Sequence, residues 1–277
     1  MGLWLTEKQT ENLSLSLRIK EIIHKEKSEF QDILIAESFQ YGKVLSLDGA
    51  FQTTEVDEFI YHEMITHVPI LSHPDPGDVL IIGGGDGGTV REVLKHSVKT
   101  VEVVEIDKWV IEVSKRYLPA ISRLLEDLRV RVIIEDGINY LKETTRKYDL
   151  IIVDSPDPKG PAIRLFSEDF YSNANRALNE DGIFVAQTES PFLHMDLILK
   201  IFCSLSKNFP LVKVYTAPIP TYPSGFWSFT VGSKKCDPSS PLRRGDIDTK
   251  YYTPEIHKAS FVLPRFLEDA IRTSKTI

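Results

Sequence analysis

The chain has 277 residues, of which 42% are hydrophobic, so it can bury one large core or one core and a small domain. Its net charge of -7 argues against nucleic acid as a partner, because phosphate binding requires clustered Lys and Arg. The 2 cysteines lie far apart and predict reduced thiols rather than a disulfide framework. We expect no signal peptide and no membrane span, and therefore a cytoplasmic protein without a membrane partner.

The first fifty or so residues predict a small antiparallel β unit. Residues 13–19, 31–38 and 42–49 alternate with period two and are separated by polar or glycine turns. From Val56 to Leu71 the period becomes helical. We therefore expect an N-terminal β-hairpin domain over residues 1–54 and a catalytic domain over residues 55–277.

Strands and helices alternate along the second part of the chain. Predicted strands cover residues 79–82, 101–106, 129–134, 148–154 and 182–189, most of them leading into a helical segment, and residues 213–217 and 225–233 predict a closing antiparallel pair. This alternation is typical of the α/β class, with a mostly parallel sheet covered by helices on both faces.

A glycine-rich turn joins the first of these strands to its helix. Gly83, Gly85 and Gly88 match the G-x-G-x-x-G spacing, which lets the backbone approach a bound nucleotide, although the same pattern also occurs in simple tight turns. Asp86 lies inside the turn, where it would repel a pyrophosphate. The turn therefore favours an adenosine that carries positive charge over a dinucleotide.

Acidic residues follow the strands at the edge where ligands of open α/β sheets bind. These acids are Asp86, Glu105, Asp107, Glu135, Asp136, Asp154 and Asp157. Glu105 lies about twenty residues beyond the glycines, where an acid can accept both ribose hydroxyls. Asp136 suits the amino group of an adenine, but the alternative for Asp107 and Asp136 is a helix N-cap.

Asp154 and Asp157 form a pair of acids within the sequence Asp-Ser-Pro-Asp-Pro. The two prolines make the segment rigid, so the pair could orient an ammonium group and remove its proton. The alternative is that the Asp-Pro steps only build turns.

Six motifs in order resemble the spermidine synthases, the family of polyamine aminopropyltransferases. They are QTTEVDEFIYHEM (52–64), IGGGDGGTVREVLKH (82–96), VEIDKWVIE (104–112), DGINYL (136–141), DSPDPKGPAIRLFSEDFY (154–171) and TYPSGFWSFT (221–230). The resemblance implies a Rossmann-like, methyltransferase-type sheet behind the small N-terminal β domain. It also implies transfer of the aminopropyl group of decarboxylated S-adenosylmethionine to putrescine or a related diamine, giving spermidine and methylthioadenosine. Decarboxylated S-adenosylmethionine is then a co-substrate, no cofactor or metal is expected, and the assembly is a homodimer or homotetramer.

The same resemblance implies a role for each matching residue. Asp154 is the general base, while Asp157 and Asp86 hold the amine and the aminopropyl ammonium. The acceptor channel is lined by Tyr61, His62 and Tyr222. The nucleoside and its arm contact Gln31, Gln52, Glu105 (ribose), Asp136 and Gly137 (adenine) and Pro161 (beside the base).

Three other classes of protein share parts of this pattern. A methyltransferase shares the sheet and the glycine turn, but its S-adenosylmethionine carries a carboxylate that Asp86 would repel. A silent nucleoside-binding protein would not need a base, and a dinucleotide oxidoreductase is disfavoured by Asp86 and by the acidic pair. The family commonly has Ser or Thr at the position of Pro156, which leaves the acceptor preference open.

Overall fold

The computed structural model of the protein describes residues 2–156, 164–243 and 247–274. Its N-terminal part is an antiparallel sheet of five strands in chain order, which confirms the predicted β unit. The strands are β1 (Leu3–Lys8), β2 (Ser14–Lys27), β3 (Asp32–Ser38), β4 (Lys43–Leu47) and β5 (Ala50–Thr54). The sequence pattern did not indicate β1 or β5, and β2 runs well beyond the predicted strand because only its first half alternates cleanly.

A second sheet of seven strands has the order β11-β12-β10-β9-β6-β7-β8. Its strands are β6 (Asp78–Gly83), β7 (Thr100–Glu105), β8 (Val130–Ile134), β9 (Tyr148–Asp154), β10 (Leu178–Gln187), β11 (Leu211–Pro218) and β12 (Phe226–Ser233). The five strands from β10 to β8 are parallel, whereas β12 is antiparallel to both of its neighbours. The mostly parallel sheet and its antiparallel end pair are thus confirmed.

Helices cover both faces of this sheet. They are α1 (Glu58–Ser72), α2 (Gly88–Val93), α3 (Lys108–Tyr117), α4 (Pro119–Ser122), α5 (Gly137–Glu143), α6 (Glu168–Ala177), α7 (Met195–Ser206), α8 (Pro254–Ser260) and α9 (Arg265–Ser274). Val79 and Ile81 of β6 pack in one core with α1 and α2, while Leu80 and Ile82 pack in the other with α5, α6 and α7. This alternation follows from the period of two in a strand that is buried on both faces.

The N-terminal sheet packs against α3 and α4 of the second part. Ile33 and Ile35 of β3 share a buried cluster with Val110 and Val113 of α3 and with Ile121 of α4. The N-terminal sheet therefore lies over the same end of the molecule as the loops that follow β6 and β7. The boundary at residues 54 and 55 stays a prediction.

The chain closes with α8 and α9, which the sequence analysis did not predict. The segment before α8 is fixed to α1, because the Glu63 carboxylate accepts the backbone N–H groups of Lys250, Tyr251 and Tyr252. No helix among the described residues is long and apolar enough to cross a membrane.

Candidate active site

A cavity of about 280 Å³ opens at the carboxyl ends of β6, β7 and β9. Every predicted site residue that the structure describes lines it: Gln31, Gln52, Tyr61, His62, Asp86, Glu105, Asp136, Gly137, Asp154 and Tyr222. The other two, Asp157 and Pro161, lie outside the described residues. The structure thus brings together residues from both sheets at one place.

The glycine turn permits close contact between the ends of β6 and β9. Gly83 pairs with Asp154 across the two parallel strands and has a φ of +83°, a conformation that favours glycine. A Cβ at Gly83 would lie 2.1 Å from the carbonyl oxygen of Asp154, and the N–H of Gly84 donates to that oxygen at 2.7 Å. The turn therefore fixes the backbone of Asp154 as well as leaving room for a nucleoside.

The Asp154 carboxylate is held by two hydroxyl groups. The hydroxyl of Tyr61 donates to Oδ1 and that of Thr89 donates to Oδ2, both at 2.7 Å. Burial raises the pKa of Asp154, and the nearby negative charge of Asp86 raises it further. A buried carboxylate with a raised pKa is suited to accept a proton from an amine.

Asp86 lies in the glycine turn and points into the same end of the cavity. Its Oδ1 accepts the N–H of Gly88 at 2.9 Å, and its Oδ2 accepts the hydroxyl of Thr53 and faces Nε2 of His62 at 3.4 Å. Burial alone would raise the pKa of Asp86, but His62 and these hydrogen bonds outweigh it and hold the pKa below its usual range. Side-chain atoms of His62, Asp86 and Asp154 all lie within 4.8 Å of one another, and the two carboxylates among them suit a small cation such as an ammonium group.

Glu105 ends β7 on the nucleoside side of the cavity. Burial raises its pKa to about 7, although its Oε1 accepts the N–H of Asp107 at 2.9 Å. Asp107 itself is the N-cap of α3, because it accepts the N–H of Trp109, and its Oδ2 accepts the side-chain amide of Gln31 at 3.0 Å. Glu105 is therefore left with acceptor capacity on the cavity side, which is what ribose hydroxyls require.

Asp136 is an N-cap, which was one of its two alternatives, and its contact with adenine stays a prediction. It is the N-cap of α5, where its Oδ1 accepts the N–H of Ile138 at 2.8 Å, and it also lines the cavity. A Cβ at the neighbouring Gly137 would lie 2.4 Å from Cγ2 of Ile82, so a glycine is required for α5 to start beside β6.

Aromatic side chains line the end of the cavity near the N-terminal sheet. The rings of Tyr61 and Tyr222 lie 5.4 Å apart, and Trp227 contacts Tyr222 edge-on at 4.9 Å. The hydroxyl of Tyr222 donates to the carbonyl oxygen of Gln52 at 2.7 Å, which joins the end of the second sheet to β5. Faces of aromatic rings attract ammonium groups.

The sequence analysis missed several residues of the site. Thr53 and Thr89 donate to the two acids, Gln187 donates to the carbonyl oxygen of Ser155 at 3.2 Å, and Glu7 of β1 is buried in the cavity wall. No local signal marks Glu7, because it lies in a strand that the pattern did not predict. The threonines lie inside two of the quoted motifs, but their contacts depend on the tertiary structure.

The charge of the cavity is predominantly negative. Its acids are Glu7, Asp48, Asp86, Glu105, Asp136 and Asp154, and no Lys or Arg of the described residues lines it. Arg164, which the sequence places beside the acidic pair, is exposed. An acidic cavity at the carboxyl edge of an α/β sheet defines a class of nucleoside-dependent transferase that acts on cationic substrates.

Comparisons with known proteins identify the family within that class. Residues 58–241 match the family model of the spermine/spermidine synthase domain, and residues 3–55 match that of the spermidine synthase tetramerisation domain. The chain belongs to the spermidine synthase family of polyamine aminopropyltransferases, as the motifs predicted. The match of residues 3–55 supports the expected homo-oligomer.

Similar proteins agree over nearly the whole chain. A polyamine aminopropyltransferase of Thermoanaerobacter sp. strain X514 is 55% identical over 97% of this chain and 98% of its own length. One from Shouchella clausii is 50% identical over 98% of this chain and 100% of its own length. A crystal structure of spermidine synthase in complex with the transition state analogue AdoDATO has a TM-score of 0.94 at 43% identity, covering 98% of this chain and 95% of that one. The spermidine synthase of Thermotoga maritima has a TM-score of 0.93 at 42% identity, covering 98% and 94%.

Proposed function

We propose that this aminopropyltransferase moves the aminopropyl group of decarboxylated S-adenosylmethionine to putrescine or a related diamine, with Asp154 as the general base. Putrescine would give spermidine, and the nucleoside would leave as methylthioadenosine. The observation that carries the proposal is the pair of carboxylates, buried Asp86 and partly buried Asp154, in a cavity lined by acids and without Lys or Arg among the described residues.

The reaction requires little more than positioning and the loss of one proton. A neutral amine nitrogen forms a bond to the aminopropyl carbon next to the sulfonium sulfur, the carbon–sulfur bond breaks, and its electron pair stays on sulfur. The leaving group is a neutral thioether, so it needs no acid. The proton released by the amine goes to a carboxylate nearby, which is the role we assign to Asp154.

The geometry of Asp154 supports this role. Tyr61 and Thr89 each donate to one of its oxygens, so the carboxylate has a fixed orientation, and each oxygen keeps a further lone pair for an amine proton. Burial and Asp86 raise the pKa of Asp154, which makes the carboxylate a stronger base.

The donor would lie along the strand ends. Asp86 would receive the ammonium of the aminopropyl arm, Glu105 the ribose hydroxyls, and Asp136 with Gly137 the adenine. Gln31 and Gln52 line the same cavity and would contact the nucleoside and its arm. The anionic Asp86 favours this donor over ordinary S-adenosylmethionine, whose carboxylate it would repel.

The acceptor would enter along the aromatic rings of Tyr61 and Tyr222, which contact each other, next to His62. Asp157 would hold its amine and Pro161 would pack beside the adenine, and both assignments rest on the family resemblance. We further propose that the enzyme works as a homodimer or homotetramer in the cytoplasm, without a cofactor or metal and without a nucleic-acid or membrane partner.

Product analysis by mass spectrometry tests the proposal. The purified protein is incubated with decarboxylated S-adenosylmethionine and, in separate reactions, putrescine, cadaverine, agmatine and spermidine. We expect methylthioadenosine together with one or more aminopropylated amines, and the identity of the amine names the acceptor. The Asp154→Asn variant should lose about 10²–10⁴-fold in kcat, which is the usual contribution of a general base.

A matched carboxylate-to-amide change controls for the loss of charge. Asp269→Asn lies on the exposed surface of α9, outside the cavity, and should keep full activity. A parallel reaction receives ordinary S-adenosylmethionine. Methylated amine and S-adenosylhomocysteine as products would show a methyltransferase instead, and an Asp154→Asn variant as active as the parent would remove Asp154 from the role of base.

A further inference from the structure

His62 lies between two carboxylates at the back of the cavity. Its Nδ1 is 2.6 Å from Oε2 of Glu58, one turn earlier on α1, and its Nε2 is 3.4 Å from Oδ2 of Asp86. The ring is buried, with 3% of its side chain exposed. Each of the two nitrogens therefore lies against one of these two acids.

Both acids are placed to remain charged. Glu58 accepts two hydrogen bonds from the guanidinium of Arg91, at 2.9 and 2.8 Å, and Asp86 accepts from Thr53 and Gly88. A neutral imidazole has one N–H, so its other nitrogen would turn a lone pair toward a carboxylate. The arrangement thus favours the imidazolium, which donates to both acids.

Arg91 is in turn fixed from behind. Its Nε donates to Oε1 of Glu92 at 2.8 Å, and Glu92 also accepts from Lys95 and His67. Among the described residues, the charged and titratable groups around His62 are Glu58 and Tyr61 on α1, Asp86 in the glycine turn, Asp154 at the end of β9 and, behind Glu58, Arg91 on α2. Burial opposes the charge on His62, but Asp86 and Glu58 outweigh it and raise the pKa of His62 well above its ordinary value.

We infer that Glu58 is a positioning residue for aminopropyl transfer: it keeps His62 as an imidazolium, which holds the Asp86 carboxylate in the orientation that receives the ammonium of the substrate. The inference rests on the proposed function in one respect, namely that Asp86 binds that ammonium. Glu58 acts through His62 and does not line the cavity.

The contacts of Asp86 show what this orientation provides. The N–H of His62 and the hydroxyl of Thr53 both point to Oδ2, so the capacity for a further donor lies on Oδ1, which holds only the N–H of Gly88. Loss of the proton from Nε2 would remove one of these restraints and place a lone pair against Oδ2. The imidazolium also offsets the negative charge that Asp86 and Asp154 share.

The pH profile of a Glu58→Gln variant tests the inference. Glutamine can still accept from Nδ1, but it removes the negative charge, so His62 should lose its proton within the assay range. We expect the ratio of variant to parent kcat/KM to fall about tenfold between pH 6 and pH 9, the usual value of a hydrogen bond to a charged group. Dividing by the parent kcat/KM at each pH removes the effect of every ionisation that the two enzymes share.

Two further variants separate this effect from a general loss of charge. Glu92→Gln removes the other acid that pairs with Arg91 but does not touch His62, so its ratio should stay flat with pH. Glutamine in place of His62 provides a donor that does not titrate, so Glu58→Gln added to His62→Gln should have no pH-dependent effect. Such non-additivity is expected only if Glu58 acts through His62. The inference would be overturned if the ratio of variant to parent kcat/KM fell equally with pH for Glu58→Gln and for Glu92→Gln. It would also be overturned if Glu58→Gln had the same pH dependence with and without His62.

A measurement on the unaltered enzyme does not depend on activity, and it uses a variant only to identify one signal. The chain has 7 histidines, so ¹⁵N-histidine labelling gives few signals, and His62→Gln identifies the signal of His62. We expect both of its ring nitrogens to be protonated from pH 6 to pH 9 in the free protein. A His62 with one bare nitrogen at pH 7 would refute the inference even in an active enzyme, whereas an inactive enzyme with a protonated His62 would refute only the proposed function.

Discussion

Glu105 is an acid of the cavity whose ionisation lies near neutral pH. Burial raises its pKa to about 7 in the free protein. Ribose hydroxyls donate to a carboxylate, so a bound nucleoside stabilises the ionised form and lowers the pKa. Binding then requires loss of a proton below pH 7, and affinity should fall as the solution becomes more acidic.

We therefore expect the Kd of methylthioadenosine to rise about tenfold from pH 8 to pH 6, as a group with pKa near 7 dictates. Isothermal titration calorimetry in buffers of different ionisation enthalpy measures both the Kd and the proton released. Glu105→Gln should bind more weakly at pH 8 and show no such pH dependence. A Kd of the parent that stays constant over this range would contradict the assignment of Glu105.

The raised pKa of Glu105 also predicts how the stability of the ligand-free protein changes with pH. Folding raises the pKa of Glu105 from 4.5 to about 7, so between these pH values the folded state holds a proton that the unfolded state has released. The contribution of this group to stability accordingly falls as the pH rises through the window. Glu105→Gln should increase the free energy of unfolding at pH 8, but not at pH 4, in urea denaturation of the ligand-free protein.

Gly88 lies so close to His62 that the site has no room for a larger side chain at this position. An alanine in a helix normally stabilises by about 1 kcal/mol relative to glycine. Here the added Cβ would lie 2.2 Å from Cε1 of His62, which is buried and held on both sides. Gly88→Ala should therefore lower stability by about 1–3 kcal/mol, the range for overpacked cores, and lower kcat/KM at least about tenfold.

Gly77→Ala provides the comparison for that change. A Cβ at Gly77 meets the side chain of Lys99 at 3.2 Å, and a lysine side chain can move aside. Thermal unfolding and kinetic assays should therefore show a lower stability and a lower kcat/KM for Gly88→Ala than for Gly77→Ala. A Gly88→Ala enzyme with parental kinetics would mean that His62 can leave its place without effect.

At the scale of elements, α1 carries three consecutive residues with three different tasks. Tyr61 donates to Asp154, His62 lies beside Asp86, and Glu63 faces away from the cavity and binds the backbone before α8. Successive residues of a helix are about 100° apart, so one element can serve the site and the C-terminal segment together. Nearly all of α1 is buried, which is why no polar face marks it in the sequence.

The contact between Glu63 and the C-terminal segment gives a prediction for stability alone. Its carboxylate accepts three backbone N–H groups, from Lys250 to Tyr252, and a glutamine offers one carbonyl oxygen for them. Glu63→Gln should lower the free energy of unfolding by about 1–3 kcal/mol, the cost of leaving buried donors unpaired. At 25 °C the folded enzyme should keep its kcat/KM, because Glu63 does not line the cavity.

Urea denaturation with activity measured on the same samples tests this prediction. Glu255→Gln on the exposed surface of α8 is the control and should change neither quantity. A Glu63→Gln variant with parental stability would show that the segment before α8 is held by its apolar contacts instead.

At the scale of the whole molecule, the N-terminal sheet presents apolar side chains on an edge strand. Within the described residues β1 pairs with β2 alone, and its Leu3 and Trp4 are about half exposed. Edge strands with apolar side chains are surfaces on which a further chain can pack. The match of residues 3–55 to a tetramerisation domain assigns this region to assembly.

We expect Trp4→Glu to shift the oligomer toward smaller species in light scattering coupled to gel filtration, because association would bury an unpaired charge. Leu128→Glu is the control, since Leu128 is fully exposed near β8 and lies outside the N-terminal sheet. An unchanged mass for Trp4→Glu, or an equal shift for both variants, would place the interface elsewhere.

Several residues of the site could be predicted from the sequence, because each of them lies at or just after the end of a strand of the parallel sheet. Asp86, Glu105 and Asp154 each follow a buried strand, and parallel strands bring their carboxyl ends to one edge. The antiparallel N-terminal unit was accessible from its period of two. The strands β1 and β5 were not, because their sequences, LWLTEK and AFQTT, do not alternate between apolar and polar residues.

What the sequence alone determined was the class of fold, the family and the acids at the strand ends, since each depends on local periodicity or on short motifs. Only the tertiary structure revealed the partners of those acids. Thr53 arrives from β5, Glu7 from β1, and Glu58 meets Arg91 across two helices, and none of these contacts leaves a local pattern. The physical reason is that the charge state of a buried group depends on neighbours that are distant in the chain and adjacent only after folding.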